Sequence, residues 1–500
     1  MTKENGTSGP LAPAAWVAFL PTLAALAAFL VYGFLLAFPS TSRPPVLLMA
    51  PCAAAAFALF QLTFPACRPA PRYLISPLNW ALLAFFVQLV VMPMTISWVD
   101  PDAGTLPYVA SRHAINHSIV LSIVAFAAFS LGYTIFIRRG RSPPPPRALS
   151  VPNWVLLLYA AIGLVGLFLR FGSAGELIAT LAEPARFADL DAAENGTLRG
   201  AASTFFRPFL LNAIVIAWCR WVDRRGANAS RVVRLTLTAV AGVAVVVVGA
   251  SYGFNRASFV VPLLAMTAAY SVHARRLSLR SLALAGLLAA PLALVPALYR
   301  SNDMTAGEWM RSGGDVMRST NAGTEFQTYC GAPQFTGFLL EAAERSHEHF
   351  TPVILLGSIL TPVPIVGKAF RDDNGSAVYN RLIYGNTGIA DQIIPFEGEV
   401  YLCLGFAGLF AAYVAMGFII GWLERRFNSA ATAFDSYALQ FVAAWVAFLV
   451  QGSLASASQV FIFFLWPIYG YALLRRVTRT TRERVAGSNE ATSPDGLSHA

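Results

Sequence analysis

Long apolar runs alternate with short polar connections along most of the chain. A helix needs about 20 apolar residues to cross the hydrocarbon core of a membrane. Runs of suitable length predict about twelve transmembrane helices, at 16–38, 46–64, 77–97, 118–137, 153–171, 208–222, 235–253, 257–273, 281–299, 399–423, 434–456 and 459–474. The first run is long enough to span, so it is interpreted as a transmembrane helix and not as a cleaved signal peptide.

Two of the polar connections, 172–207 and 300–398, are much longer than the others. Loops of that length are usually functional or disordered. The second contains many aromatic residues and an apolar run at 351–366, so it can bury enough apolar surface to fold. The pattern predicts four regions: nine helices with the smaller loop over 1–299, a large structured loop over 300–398, three helices over 399–474 and a disordered tail over 475–500.

The composition supports a polytopic membrane protein, because 56% of the residues are hydrophobic and only 12% are charged. A net charge of +10 could suggest nucleic acid as a partner, but the arginines lie in clusters between apolar runs. Positive residues accumulate in cytoplasmic loops, so these clusters indicate topology. Twelve helices with both termini inside place all of them in the cytoplasm: Arg68 and Arg72; Arg138, Arg139, Arg141 and Arg147; Arg220, Arg224, Arg225, Arg231 and Arg234; Arg275, Arg276 and Arg280; Arg425 and Arg426; and Arg475, Arg476, Arg479, Arg482 and Arg484.

The same topology puts both long loops on the side opposite the cytoplasm, away from nucleotides. An enzyme with its polar parts there must use a preactivated substrate. The chain contains no G-x-x-x-x-G-K-[ST] phosphate loop, which disfavours a nucleotide-driven pump. Its five cysteines have no metal-binding spacing, and His347-Glu348-His349 is interpreted as a polar helix face and not as a metal site.

Arginines in the outward connections oppose the usual charge bias and therefore need a reason to be there. Arg256 lies in a tight hairpin, Gly253-Phe-Asn-Arg-Ala-Ser258, between two apolar runs, and Arg300 ends the ninth run. A planar guanidinium near the membrane surface can bind a phosphate with two hydrogen bonds. The alternative is an arginine that extends to the interface or pairs with an acidic residue. The full outward set is Arg186, Arg199, Arg207, Arg256, Arg300, Arg311, Arg318, Arg345, Arg371 and Arg381.

Two carboxylates, Glu397 and Glu399, flank Gly398 at the start of the tenth run. Ionisable groups at membrane depth are costly and are usually functional. Either carboxylate could act as a general base for a hydroxyl group, or could form a structural ion pair with an arginine. Asp372 and Asp373 are interpreted as a solvated turn, and the following Asn374-Gly-Ser376 triplet as a turn and not as a glycosylation site.

Four segments together resemble the Wzy-type oligosaccharide repeat unit polymerases. They are Pro362-Val-Pro-Ile-Val-Gly-Lys368, Tyr379-Asn-Arg-Leu-Ile-Tyr384-Gly385, Pro395-Phe-Glu-Gly-Glu-Val-Tyr401-Leu-Cys-Leu-Gly405-Phe-Ala-Gly408, and the hairpin with Arg256. The resemblance covers roughly residues 235–425. The chain departs from the family by having Val-Gly before Lys368, and Arg186 to Gly196 matches the family's arginine-containing loop motif only approximately.

This resemblance implies a GT-C-like membrane glycosyltransferase of the bacterial inner membrane, with no metal and no cofactor. Its donor and acceptor would be undecaprenyl-diphosphate-linked oligosaccharides, and a chain-length regulator and a flippase would be its partners. Arg256, Arg300, Arg186 and Arg318 are candidates for binding the diphosphate. Glu397 or Glu399 is the candidate base, and Tyr384, Tyr401 and Trp309 are candidate sugar contacts.

Two other functions stay open at this point. A ligase that moves finished glycan onto lipid A-core would use the same donor and a similar architecture. A transporter or flippase would also suit about twelve helices, although such proteins often contain internal repeats. The sequence does not specify the sugars, the linkage or its stereochemistry.

Overall fold

The computed structural model describes residues 50–63, 75–98, 110–139, 152–194, 197–226, 229–253, 257–278, 331–346, 350–363, 366–370, 372–385 and 394–475, together with single positions at 73, 280, 305, 308, 309, 311 and 312. Within these ranges every regular element is helical. The first ten helices are α1 (Ala50–Thr63), α2 (Pro77–Phe86), α3 (Met92–Trp98), α4 (Arg112–Arg139), α5 (Asn153–Phe171), α6 (Ala174–Ala182), α7 (Ala185–Glu194), α8 (Leu198–Trp221), α9 (Arg231–Ala250) and α10 (Ala257–His273).

The remaining helices begin in the long second loop. They are α11 (Ala332–Ser346), α12 (Pro352–Leu360), α13 (Gly375–Tyr384), α14 (Phe396–Asn428), α15 (Ala433–Phe448), α16 (Leu454–Phe463) and α17 (Leu465–Arg475). A π-helical turn, Val87–Val91, joins α2 to α3, another follows α8 at Val222–Gly226, and a 3-10 turn lies at Val366–Phe370.

Among the described residues, six helices are long and apolar enough to cross a membrane, or seven if the bent pair of α16 and α17 is one span. They are Pro77–Ile96, Arg112–Ile137, Asn153–Phe171, Leu198–Arg225, Arg231–Ala250 and Phe396–Asn428. The membrane character of the chain is therefore confirmed. The count of twelve stays a prediction: α1, α10 and α15 are shorter apolar helices, and the runs 16–38 and 281–299 lie outside the described residues.

The first long loop, 172–207, contains two short helices, α6 and α7, and the first turns of α8. Ser173 caps α6 by accepting a hydrogen bond from the backbone N–H of Glu176, at 3.1 Å. Thr197 caps α8 in the same way through the N–H of Gly200, at 3.0 Å. Ser and Thr at this position satisfy N–H groups that a helix leaves unpaired at its start. The helix predicted from 208 therefore begins ten residues earlier, at Leu198.

Glycines allow α4 and α14 to approach closely. A Cβ at Gly132 would overlap the backbone of Val414, and one at Gly417 would overlap the backbone of Phe129. Small residues at helix crossings let backbones pack within van der Waals distance inside a membrane. The two helices run in the same direction, because Tyr133 lies beside Gly417 and Phe136 lies beside Gly421.

A second close crossing joins α5 to α8. A Cβ at Gly163 would overlap Leu210, and one at Gly166 would overlap Phe206 and the backbone of Arg207. The spacing of three residues places both glycines on one face of α5. This face therefore fixes the position of the middle of α8.

The arginine-rich helix ends meet at one end of the bundle, here called the basic end. Arg425 Nη2 donates to the carbonyl of Phe136 at 2.6 Å, which joins the end of α14 to the end of α4. Arg475 at the end of α17 pairs with Asp435 at the start of α15, at 2.6 Å. The backbone N–H of Ala433 donates to Asp223 at 2.8 Å, which brings in the end of α8.

The described part of the long second loop packs at the opposite end, here called the loop end. Gly337 of α11 faces the backbone of Ala114 and Ile115 in the first turn of α4. The backbone N–H of Ser111, just before α4, donates to Glu341 at 2.9 Å. Most of α11 is buried. The loop is thus folded against the membrane helices over its described residues, as its apolar content predicts.

Candidate functional site

The carboxylate of Glu397 is fully buried, with 0% of its surface exposed. The hydroxyl of Ser122 in α4 lies 2.9 Å from Oε1 and 3.0 Å from Oε2. Thr336 Oγ1 of α11 lies 3.4 Å from Oε1. Gln88 Nε2, in the π-helical turn, donates to Ser122 Oγ at 3.0 Å. Three separate segments therefore surround this carboxylate with neutral polar groups.

Glu399 is 2% exposed and points to a different neighbourhood. The hydroxyl of Ser358 in α12 donates to its Oε1, and the backbone N–H of Gly375 donates to that same hydroxyl at 2.9 Å. The backbone N–H of Leu454, at the start of α16, also interacts with the carboxylate. Glu399 therefore joins α12 and α13 of the loop to α14 and α16.

Neither carboxylate contacts an arginine or lysine within the described residues. Hydroxyl groups hold both of them instead, so the predicted alternative of a structural ion pair finds no support there. The two side chains lie two residues apart on one helix and face nearly opposite sides of it. The predicted pair is consequently two separate sites.

The described sugar-contact candidates lie near these carboxylates in the chain but are only partly exposed. Tyr401 is half-buried, and its ring lies 5.6 Å from that of His117 and 5.0 Å from that of Phe406. Tyr384 is half-buried at the end of α13, where it packs against a small cluster with Leu339 and Tyr379. Trp309 is half-buried at an isolated described position, and the structure does not connect it to either carboxylate.

One of the four predicted diphosphate ligands, Arg186, lies among the described residues. Arg256, Arg300 and Arg318 lie outside the described residues. Arg186 is exposed in α7, where Nε donates to Glu183 at 2.6 Å and Nη1 lies 3.7 Å from Glu176. The hydrogen bond that Arg186 donates to Glu183 raises the pKa of the guanidinium above its usual value. This geometry matches the second interpretation given to the outward arginines, in which the arginine pairs with acidic residues and does not bind a phosphate.

Arg207 has the clearest buried position among the described arginines, and sequence analysis did not single it out. It is 6% exposed. Its Nε donates to the carbonyl of Ser203 at 3.2 Å, Nη1 donates to the carbonyl of Ser251 at 3.0 Å, and the guanidinium lies 4.6 Å from the ring centre of Tyr252. It lies fourteen residues before the end of α8, about 21 Å along the axis from the basic end.

A second buried arginine and a glycine with positive φ belong to the elements around Arg207. Arg170, in the last turn of α5, is also 6% exposed. Tyr252 immediately precedes Gly253, which has a φ of 79° and opens the hairpin that carries Arg256. The signal for Arg207 was present in the sequence: an arginine in the run Phe205-Phe-Arg-Pro-Phe-Leu-Leu, where a charge at membrane depth is rare and usually functional.

The arginine neighbourhood and the Glu399 neighbourhood are linked by α16. Leu454 at its start interacts with Glu399, and Phe464 just after its end lies 5.0 Å, ring to ring, from Tyr252. A helix of this length spans about 15 Å. The two neighbourhoods thus lie at opposite ends of one short helix.

Asp372 and Asp373 are exposed in a bend before α13, in agreement with the predicted turn. Asn374 caps α13, because its side chain accepts from the N–H of Ala377 at 3.1 Å and donates to the carbonyl of Phe370 at 3.2 Å. Within the described residues no group of three or more His, Cys, Asp or Glu side chains is arranged for a metal ion. His347-Glu348-His349 lies outside those residues.

The fold and these buried polar groups define a helical membrane protein with ionisable side chains inside its apolar bundle. No protein-family model, curated protein or solved structure matches the chain.

Proposed function

We propose that this protein polymerises undecaprenyl-diphosphate-linked oligosaccharide repeat units at the outer face of the bacterial inner membrane. In this reaction a hydroxyl of one lipid-linked repeat forms a new glycosidic bond to the sugar carbon of another. The bond from that carbon to the diphosphate breaks, the hydroxyl proton passes to a base, and undecaprenyl diphosphate leaves. Membrane glycosyl transfer of this kind needs positive charge for the leaving group and a positioned base.

The observation that carries the proposal is the position of Glu399, at the junction between the folded loop and the membrane helices. Its carboxylate meets α12 and α13 of the loop, and its helix continues into the bundle. The loop end lies opposite the basic end, and positive residues favour the cytoplasmic side, so the loop is assigned to the outer face. A base at the outer face can act on a substrate that is already activated by its diphosphate, so no nucleotide is needed on that side.

Glu399 is preferred over Glu397 as the base, because two loop helices, α12 and α13, cover it together with the start of α16. Ser358 and Gly375 are the groups in contact with it, and they lie at the facing ends of α12 and α13. Movement of the ends of α12 and α13 away from Glu399 would expose its carboxylate to an acceptor hydroxyl. The other end of α16 leads to Tyr252 and Arg207. We assign Arg207, together with Arg256 outside the described residues, to the diphosphate.

The test replaces Glu399 by glutamine in a strain whose chromosomal gene is deleted. We expect lipopolysaccharide or capsule carrying a single repeat, because removal of a general base lowers the rate by about 10²–10⁴-fold. Protein level is measured in parallel. Glu344→Gln is the matched control, since Glu344 is exposed on α11. Chains of normal length in Glu399→Gln, at normal protein level, would exclude the role of base.

The glycan profile of the deletion strain also separates the competing functions. A polymerase mutant shows core capped by one repeat, whereas a ligase mutant shows bare core and accumulated lipid-linked polymer. Reconstitution with purified lipid-linked repeats separates a transporter, because only a transferase forms a new glycosidic bond.

A further inference from the structure

The Glu397 site differs from the Glu399 site in where it lies and in what surrounds it. Its partners come from the π-helical turn after α2, from α4 and from α11, so membrane helices and one loop helix enclose it inside the apolar core. Tyr413 of α14, which is fully buried, faces it and interacts with it electrostatically. The proposed transfer reaction makes no use of this site.

The charge of Glu397 is unbalanced by any side chain in contact with it. Its contacts are a serine and a threonine hydroxyl and the glutamine amide, and no arginine, lysine or histidine of the described residues is among them. An ionised carboxylate with 0% exposure in an apolar core is strongly disfavoured unless a positive charge accompanies it. The site therefore requires a neutralising charge of +1.

Two further polar atoms have no hydrogen-bond partner within the described structure, and one of them belongs to the glutamine that contacts the carboxylate. They are Gln88 Oε1 and Ser118 Oγ, and both side chains are 0% exposed. Gln88 Oε1 belongs to the amide that already touches Ser122, and Ser118 lies one turn before Ser122 on the same face of α4. Buried polar atoms are nearly always satisfied, so these two atoms point to a missing partner that accepts electron pairs. A proton on Glu397 or a metal cation bound beside it would supply such a partner.

We propose that Glu397, Ser122, Gln88 and Thr336, with Ser118 beside them, bind one small monovalent cation of the sodium class. Hard cations take oxygen ligands from carboxylates, hydroxyls and amide carbonyls. A rotation of the Gln88 amide by half a turn exchanges its nitrogen and oxygen and turns the carbonyl toward the carboxylate. A single carboxylate matches a single positive charge, which disfavours Mg²⁺ and Ca²⁺. This inference goes beyond the proposed polymerase function and does not depend on it.

The spacing of the oxygens favours a small cation. Ser122 Oγ lies 2.9 and 3.0 Å from the carboxylate oxygens, and Thr336 Oγ1 lies 3.4 Å from one of them. Neighbouring ligands in an octahedral site are separated by about 1.4 times the metal–oxygen distance, so these values correspond to metal–oxygen distances of about 2.1–2.4 Å. Potassium requires longer ones.

Occupation of this site would stabilise the docking of α11 on the membrane helices, because its ligands come from both. Thr336 belongs to the loop, whereas Ser122 and Gln88 belong to the bundle. Sodium is thereby predicted to act on the stability of the loop and not on the chemistry of sugar transfer.

The test measures thermal unfolding of the purified full-length protein in detergent, in sodium chloride and in choline chloride at equal ionic strength. We expect saturating sodium to raise the Tm by about 5 °C, since a ligand that binds only the folded state stabilises it. Equilibrium binding of radioactive sodium should reach one ion per chain. Glu397→Gln should abolish both effects, because the neutral amide no longer needs a cation.

Ser122→Ala and Thr336→Val provide the second line of the test, in case Glu397→Gln does not fold. Each removes one oxygen, and each should raise the sodium concentration required for half of the Tm shift by about tenfold. Ser130→Ala is the matched control, because Ser130 is a buried hydroxyl of the same helix that bonds only to the carbonyl of Phe126. It should keep the full sodium response.

Three results would overturn the proposal. The first is a Tm of the natural protein that is equal in sodium and in choline. The second is a Tm that changes with pH alone, which would assign the site to a proton. The third is an undiminished sodium response in the folded Glu397→Gln variant.

Discussion

Arg207 illustrates how a residue's role follows from its surroundings. The guanidinium is buried in α8, holds the carbonyls of Ser203 and Ser251 and lies over the ring of Tyr252. It thereby ties α8 to the end of α9, beside the hairpin with Arg256. A charge fixed at this depth is costly and is usually functional.

Arg207→Lys tests whether the planar fork of the guanidinium is needed. Lysine keeps the positive charge but cannot make two parallel hydrogen bonds to a phosphate. We expect polymer formation to fall by at least about tenfold at an unchanged protein level, measured by glycan electrophoresis. Arg345→Lys is the control, since Arg345 is exposed and pairs with Glu341 on the surface of α11. Equal polymer in the two variants would remove Arg207 from diphosphate binding.

Sequence reasoning located both carboxylates but not what holds them. The apolar run after Gly398 was enough to place Glu397 and Glu399 at the start of a helix. Their partners could not be inferred, because Ser122 is 275 positions from Glu397 and Ser358 is 41 positions from Glu399. No local pattern encodes a contact over such distances. Within the described residues, hydroxyl groups hold both carboxylates.

At the scale of elements, apolar periodicity predicted the helices well and their interruptions poorly. The predicted helix at 153–171 coincides with α5, Asn153–Phe171. The tenth predicted helix corresponds to α14, but the chain at Gly405 has φ 67° and ψ −167°, which breaks the helix. Apolar residues continue on both sides of that glycine, so hydropathy gave no sign of the break. Only glycine adopts this backbone conformation without strain.

The crossing of α4 and α14 provides a prediction about stability. Gly417→Leu places a large side chain where the backbone of Phe129 and Tyr133 already lies. We expect a loss of about 1–3 kcal/mol from overpacking, seen as a lower Tm and a smaller folded fraction in size-exclusion chromatography. Gly175→Leu is the control, because its nearest neighbour is the Ser173 hydroxyl at 3.7 Å. An unchanged Tm for Gly417→Leu would show that the helices separate without cost.

At the scale of the whole molecule, the arrangement of the helix ends agrees with the alternation of arginine clusters in the sequence. Ends carrying Arg139, Arg425 and Arg475 share the basic end, and the described loop helices occupy the other. The alternation could be predicted from the sequence because each arginine cluster is a short stretch of the chain. The burial of Glu397 and the position of α16 between the two neighbourhoods could not be predicted, since they depend on how helices distant in the sequence pack.

Cysteine labelling tests the orientation. In a background without the native cysteines, Glu344→Cys reports the loop end and Asn428→Cys reports the basic end, and both positions are exposed. We expect a membrane-impermeant maleimide to label Glu344→Cys in spheroplasts, and Asn428→Cys only after permeabilisation. The reverse pattern would place the loop in the cytoplasm and would end the proposal of sugar transfer at the outer face.

The break at Gly405 divides α14 into a nine-residue piece, 396–404, and a longer remainder. Glu397, Glu399 and Tyr401 are all on this piece. A change in the angle at one glycine would swing all three together, drawing Glu397 away from Ser122 as it carries Glu399 from Ser358. Rotation at Gly405 would therefore change the contacts of Glu397 in the bundle and those of Glu399 in the loop at the same time.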